Sequence, residues 1–153
     1  MEKNLEIWFV TPQKKMRPKE HNCFGTRDSY SVFVARNATE GCQMSVFSKS
    51  DYRKNMSVEV VNNNAGFTVE LLHERYVDCD GALFPDPVVP NDTRFDLEPW
   101  KSVTYLINIK TEKDAVPGSY GIKVILRENG EVYGEYNVWV TVWNFAIDDT
   151  DLM

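Results

Sequence analysis

The chain has 153 residues, of which 42% are hydrophobic and 26% charged, a composition typical of one globular domain with a sizeable core. Its formal charge of −6 argues against a phosphate-binding surface, so nucleic acid is not an expected partner. No apolar run approaches the roughly 20 residues of a membrane helix, so a membrane is not an expected partner either.

The N-terminus and the cysteines bear on the cellular compartment. The opening residues MEKNLEIWFV lack the basic and apolar regions of a secretory signal. The chain is therefore cytoplasmic if Met1 is the native start, and extracellular if a signal peptide has been removed. The three cysteines, Cys23, Cys42 and Cys79, are odd in number and have no CxxC spacing. This predicts free thiols rather than a disulfide framework or a zinc site.

Apolar residues that alternate with polar ones predict a series of half-buried β-strands. In chain order these runs cover residues 5–9, 30–34, 44–46, 56–60, 67–71, 103–109, 120–126 and 136–143. No stretch keeps a helical period for three turns. About eight or nine strands in a domain of this size predict an all-β fold, an immunoglobulin-like two-sheet antiparallel β-sandwich.

Two segments are predicted to be connections rather than strands. Residues 11–29 are polar and of no regular pattern. Residues 84–100, FPDPVVPNDTRFDLEPW, carry four prolines, which remove backbone donors and favour extended, polyproline-like conformations. This pattern predicts a long surface loop or strap, and loops of such length usually have a function or are covered by another element.

The segment LRENGEV joins the last two long strands, and its register can be predicted. A two-residue Asn-Gly turn would pair Leu126 with Tyr133 and would place apolar residues opposite polar ones. A three-residue loop, 128–130, with Gly130 in a left-handed conformation pairs Leu126 with Val132 and keeps the apolar faces together. We therefore predict the three-residue loop.

Residues that could carry chemistry are few. His21 and His73 lie in no HExxH or HxH arrangement, and there is no GxSxG context and no glycine-rich phosphate loop. Two acidic clusters weakly suggest calcium, but neither has the pattern of an EF-hand loop, so a solvated turn and a solvated tail are favoured. The clusters are Asp78, Asp80 and Asp86, and Asp148, Asp149 and Asp151. No catalytic residue, metal or cofactor is predicted.

The last strand presents two different faces. Val138, Val140 and Val142 point one way and are natural core residues, whereas Trp139 and Trp143 point the other way. The tryptophans could lie under loops of the domain itself, form a platform for sugar stacking, or dock against another domain. The pattern alone leaves these three interpretations open.

Four stretches resemble, in the right order, the N-terminal β-sandwich of bacterial proteins related to glycoside hydrolase family 123, the β-N-acetylgalactosaminidases. Together they run from Arg36 to Asp149 and cover most of the chain. They comprise Arg36, Asn37, Glu40 and Gln43; Pro85, Asp86, Pro87, Val88 and Pro90; Trp100 leading to Pro117, Gly118, Tyr120 and Gly121; and Val142, Trp143 and Phe145.

The resemblance implies that catalysis belongs to a (β/α)₈ barrel outside this chain. In that family an Asp-Glu pair on the barrel works with the acetamido group of the substrate, and no residue here matches that pair. The implied organisation is a β-sandwich accessory domain over residues 1–147, with residues 148–153 beginning a linker to the barrel. The barrel is the expected partner, and carbohydrate a possible second one.

The hypothesis from sequence is thus a non-catalytic accessory domain of a glycoside hydrolase. Its candidate contact residues, for carbohydrate or for the barrel, are Trp100, Trp139, Trp143, Phe145, Pro85, Asp86 and Pro87. Two alternatives stay open: a carbohydrate-binding module with an aromatic platform, and a free-standing immunoglobulin-like adhesion or assembly module.

Overall fold

The computed structural model describes residues 5–10, 29–79, 82–90 and 93–147, with residues 75–79 and 82–90 described by their backbone. The described residues form ten β-strands and no helix. The strands are β1 (Leu5–Val10), β2 (Ser29–Arg36), β3 (Thr39–Ser48), β4 (Arg53–Val61), β5 (Phe67–Cys79), β6 (Ala82–Pro90), β7 (Arg94–Leu97), β8 (Ser102–Thr111), β9 (Gly118–Glu128) and β10 (Glu131–Ala146). Within these ranges no helix has the length and apolar character that crossing a membrane requires.

The strands form two five-stranded sheets, which confirms the predicted β-sandwich. The first sheet has the order β1-β3-β8-β5-β6 and the second the order β2-β10-β9-β4-β7. Every pair is antiparallel except one, because β10 runs parallel to β2 with Val138 beside Tyr30 and Val142 beside Val34. The wholly antiparallel sheets expected from the sequence are therefore wrong at this single pair, whose partners lie about a hundred residues apart in the chain.

The core lies between the sheets and is built from the inward residues of the alternating strands. Val138, Val140 and Val142 are almost fully buried, as their spacing predicts. Three aromatic pairs join the two sheets: Phe9 with Tyr136, Phe67 with Tyr120, and Phe95 with Tyr105, at centroid distances of 5.9, 5.6 and 5.8 Å. Aromatic pairs at such distances add specific contact energy to the burial of apolar area.

Most of the proline-bearing segment lies in two strands, the part up to Pro90 in β6 and Arg94–Leu97 in β7, so the prediction of a long loop is wrong. β6 pairs with β5, from Leu72 opposite Pro90 to Cys79 opposite Ala82, with an irregularity between Glu74 and Tyr76. β6 lies at the edge of the first sheet. An edge strand needs backbone donors on one side only, which is why three prolines are tolerated there.

The hairpin between β9 and β10 also differs from its prediction. Glu128 pairs with Glu131, which leaves a two-residue turn, and both turn residues have positive φ angles, 52° at Asn129 and 83° at Gly130. A bulge then follows between Val132 and Gly134, so that Leu126 pairs with Gly134 and Ile122 with Val138. The extra residue lies in β10 rather than in the turn. Both preferences are satisfied: the Asn-Gly turn forms, and the apolar faces stay together.

Candidate interaction surface

The outward face of the second sheet carries four exposed aromatic side chains, which we call the aromatic ladder: Phe33 on β2 and Trp139, Trp143 and Phe145 on β10. Between 45% and 53% of each side chain is accessible to solvent. The alternation of β10 accounts for this, because its valines fill the core and every second residue must point outward. The predicted outward orientation of both tryptophans is therefore confirmed, and their exposure argues against cover by the loops that the structure describes.

Three rings of the ladder form a continuous stack. The centroid of Trp143 lies 6.2 Å from that of Phe33 and 5.4 Å from that of Phe145, with interplanar angles of 29° and 27°. The register shift between Val142 and Ala146 falls within this stack. Trp143 therefore stacks on Phe33 of the neighbouring strand β2 and on Phe145 of its own strand.

The indole of Trp139 covers Gly121, a residue without a side chain on the neighbouring strand β9. Trp139 pairs with Gly121 of β9, and a Cβ atom at Gly121 would lie only 2.9 Å from Cζ3 of the indole. The missing side chain therefore gives the indole its place against the sheet. Such cross-strand coverage of a glycine by an aromatic ring also shields the exposed backbone of a strand that glycine would otherwise weaken.

The end of the ladder is fixed by Asn37, in the turn between β2 and β3. Its backbone has a φ angle of 56°, and its side-chain Nδ2 donates a hydrogen bond of 2.8 Å to the carbonyl oxygen of Ile147. The amide of Ile147 in turn donates to the carbonyl of Arg36 at 2.9 Å. Asn is one of the few residues that adopt this conformation readily. Asn37 therefore ties the last described residue of the chain to the edge of the sandwich.

Charge is unevenly distributed over the outward face of this sheet. The half away from the ladder carries ion pairs, Lys123 with Glu135 at 3.5 Å and Arg127 with Glu59 at 2.8 Å. The ladder half instead presents small neutral residues between its rings, among them Ser31, Ser119 and Thr141. A surface of this kind binds by burial and stacking, not by charge.

The described residues offer little for acid–base or nucleophilic chemistry. His73 is 9% exposed, and its ring stacks on Tyr105 at 4.7 Å, so it is a packed core residue. Burial raises the pKa of the Cys42 thiol to about 12, which keeps it protonated and unreactive at neutral pH. Cys42 is a free thiol, as predicted. Within the described ranges no three His, Cys, Asp or Glu side chains converge as metal ligands.

A cleft in the described part of the molecule lies apart from the ladder. It has a volume of about 500 Å³ between β4 and β5, and its lining includes Glu59, Glu70, Arg94 and Arg127. Two acids and two arginines make this lining balanced in charge, and Glu59 accepts the hydrogen bond from Arg127. This composition is typical of a solvated ion-pair surface.

The seven contact residues predicted from the sequence do not form one site. Trp139, Trp143 and Phe145 belong to the ladder, whereas Trp100 lies in the turn after β7, 60% exposed and with its ring edge against Phe47 at 6.3 Å. The backbone of Pro85, Asp86 and Pro87 belongs to β6, at the edge of the other sheet. Their side chains lie outside those that the structure describes, as do the side chains of the acidic residues that weakly suggest calcium.

Sequence reasoning missed Phe33 as a member of the surface. Its position between Val32 and Val34 indicates that it points away from the core. What the sequence does not give is the parallel pairing that sets Phe33 beside Thr141 and thus within reach of Trp143. That partnership depends on sheet topology and not on any local pattern.

Comparison with known proteins gives structural relatives only. Neither a protein-family model nor a curated protein sequence matches the chain. Among solved structures, a family 123 glycoside hydrolase from Clostridium perfringens, studied for glycolipid glycan hydrolysis, superposes with a TM-score of 0.67 over 94% of this chain at 15% identity. This chain spans 28% of the length of that hydrolase.

A second structure of similar fold is AvmM, which catalyses macrocyclization in alchivemycin A biosynthesis. It superposes with a TM-score of 0.55 at 7% identity, over 95% of this chain and 92% of its own length. The same fold thus occurs as a minor part of a hydrolase and as nearly all of a macrocyclization catalyst. At these identities the likeness establishes a shared fold and leaves function to be argued from residues.

Proposed function

We propose that the chain is a non-catalytic accessory domain of a glycoside hydrolase, and that its aromatic ladder packs against the catalytic part of the parent protein. The observation that carries the proposal is the overlap of nearly the whole chain with a 28% portion of a family 123 hydrolase. The order of the four family-like stretches in the sequence agrees with that overlap.

The chemistry of the described surface supports a binding role over a catalytic one. The ladder contains aromatic rings flanked by neutral side chains, and hydrolysis of a glycoside needs two carboxyl groups set across the scissile bond. Exposed aromatic patches of this kind mark contact sites in proteins, because solvent contact of large apolar rings is unfavourable. Phe145 and Trp143 lie within four residues of Ile147, the last residue that the structure describes.

The first test is an activity assay of the purified chain on an aryl N-acetyl-β-galactosaminide. We expect no turnover above that of a mock purification carried through the same columns. Turnover that persists through a second purification and co-elutes with the chain would refute a non-catalytic role.

The second test examines the contact itself in the natural reading frame. If a barrel is encoded after codon 153, the longer protein should show Trp143 protected from acrylamide quenching relative to the 153-residue chain. Trp143→Ala should then destabilise the longer protein more than the chain, while Trp100→Ala should affect both equally. A stop codon after Met153 would contradict the proposal.

The competing function is a carbohydrate-binding module, which the exposed indole of Trp139 favours because it faces solvent beside neutral hydroxyl groups. A fluorescence titration with amino-sugar oligosaccharides separates the two functions. Our proposal expects a flat titration. A saturable shift that disappears in Trp143→Ala or Trp139→Ala and persists in Trp100→Ala would establish the binding module instead.

A further inference from the structure

Among the described strands, the four at the sheet edges differ in how they are protected from pairing with another chain. An exposed edge presents unpaired backbone groups, and proteins normally protect it with prolines, charges or short length. β6 contains Pro85, Pro87 and Pro90, and β7 has only four residues, including Arg94 and Asp96. β1 has six residues and carries Glu6, which pairs with Lys49 at 3.1 Å.

β2 is the exception among these edges. It has eight residues, and SYSVFVA, residues 29–35, contains no proline, aspartate, glutamate, lysine or arginine. One edge of β2 pairs with β10, and in the described part of the chain no strand pairs with the other. The strand also carries Phe33, which is 53% exposed.

We propose that β2 is a self-association edge, at which a second copy of this chain pairs antiparallel with β2 about a two-fold axis perpendicular to the sheet. The strand is complementary to itself, because seven neutral residues can face the same seven residues without like-charge contact. Such an isologous contact joins the two second sheets into one continuous ten-stranded sheet.

The neutral edge matters because each copy has a formal charge of −6. Two copies repel each other at most orientations, and a surface without charged residues lets them approach closely without like-charge contact. Residues 29–35 and the aromatic ladder satisfy this condition, although Arg36 ends the strand. The ion pairs of Lys123 and Arg127 lie toward the hairpin end of this sheet.

Pairing through the edge leaves the outward face of the sheet open. The two-fold axis perpendicular to the sheet places both aromatic ladders side by side on the same face, with the two Phe33 rings next to the axis. The association is therefore compatible with the docking role proposed above and does not depend on it.

The test is sedimentation velocity of the full chain over a range of concentrations and salt. We expect a concentration-dependent monomer–dimer equilibrium that strengthens as salt rises, because salt screens the repulsion between copies and leaves apolar burial intact. Phe33→Lys should raise the dissociation constant at least about tenfold by placing two cations beside the axis.

The matched control is Val132→Lys, which makes the same type of change at an exposed residue, 54% accessible, near the hairpin end of β10. It should dimerise like the unmodified chain. A chain that stays monomeric at the highest attainable concentration, or a dimer equally sensitive to both substitutions, would overturn the proposal.

A second measurement avoids substitutions altogether. Amide hydrogen exchange of the unmodified chain, compared at low and high protein concentration, should show slower exchange at residues 29–35 in the dimer. Concentration-dependent protection confined to another strand would place the interface elsewhere and refute the assignment to β2.

Discussion

The contact between Trp139 and Gly121 shows how one absent side chain positions an exposed ring. The indole occupies the volume above Gly121, where a methyl group would come within 2.9 Å of Cζ3. Neither residue faces the core, so the contact is local to the outward surface. It can therefore be tested by substitution without disturbing the packing between the sheets.

We predict that Gly121→Ala destabilises the chain by about 1–2 kcal/mol, because the ring has to move to admit the methyl group. In a Trp139→Ala background the same change should be neutral or stabilising by up to about 1 kcal/mol, because alanine then only restricts the unfolded strand. Urea unfolding of the four proteins completes the cycle. An equal cost of Gly121→Ala in both backgrounds would contradict the contact.

Residue-level reasoning from sequence succeeded where a side chain's orientation follows from alternation alone. The inward valines and outward tryptophans of β10 were predicted correctly for this reason. Trp100 was predicted to be a contact residue only because it is a tryptophan. The structure places it in the turn after β7, with a φ angle of 61°, and not in the ladder. Composition identifies exposed aromatics, but their grouping requires the sheet order.

At the scale of single elements, the β9–β10 hairpin shows that the turn type and the strand register are set by different residues. A three-residue loop would require a left-handed conformation at Gly130 alone, whereas the observed turn has positive φ at Asn129 as well. The bulge between Val132 and Gly134 restores the apolar register. The sequence correctly predicts that the apolar faces of β9 and β10 lie on the same side. It places the extra residue in the turn, whereas the structure places it in β10, after the pair of Glu128 and Glu131.

The two turns make different predictions for Asn129. Asn129→Ala should destabilise the chain by about 1 kcal/mol, since alanine lacks the local hydrogen bonds that let asparagine adopt a left-handed conformation, while Asn129→Gly should cost little or nothing. Thermal and urea unfolding measure both. If Ala and Gly at this position were equivalent, the two-residue turn would be wrong.

β6 illustrates why element prediction fails at sheet edges. Its prolines correctly exclude a central strand, but they do not exclude an edge strand that bonds on one side. Whether a segment lies at an edge is decided by the order of the strands in the sheet, which is a property of the whole chain. The outcome therefore could not follow from the segment itself.

At the scale of the whole molecule, burial of Cys42 couples stability to pH. Burial raises the pKa of this thiol from 9.0 to about 12, so above pH 9 the unfolded chain loses a proton that the folded chain retains. The folded state consequently binds more protons in this range, and stability falls as pH rises from about 9 toward 12.

We expect the free energy of unfolding to decrease by up to about 1.4 kcal/mol per pH unit from this group in that range. Cys42→Ala, compared over the same pH series, should remove this part of the slope while keeping the contributions of Tyr30 and Tyr133, whose pKa values are also raised by burial. Identical slopes for both proteins would show that the thiol does not titrate as described.

The pairing of β10 with β2 and β9 makes the resistance of the sandwich to force depend on the direction of pulling. β10 bonds to β9 on one edge and to β2 on the other, and Asn37 fastens its end at Ile147. A force applied at Ile147 along β10 is perpendicular to the backbone hydrogen bonds that join β10 to β9 and to β2. These bonds must then break together in shear instead of opening one at a time. A partner domain that pulls on this end along β10 therefore meets high mechanical resistance. A partner that pulls perpendicular to β10 can separate β10 from β2 one hydrogen bond at a time.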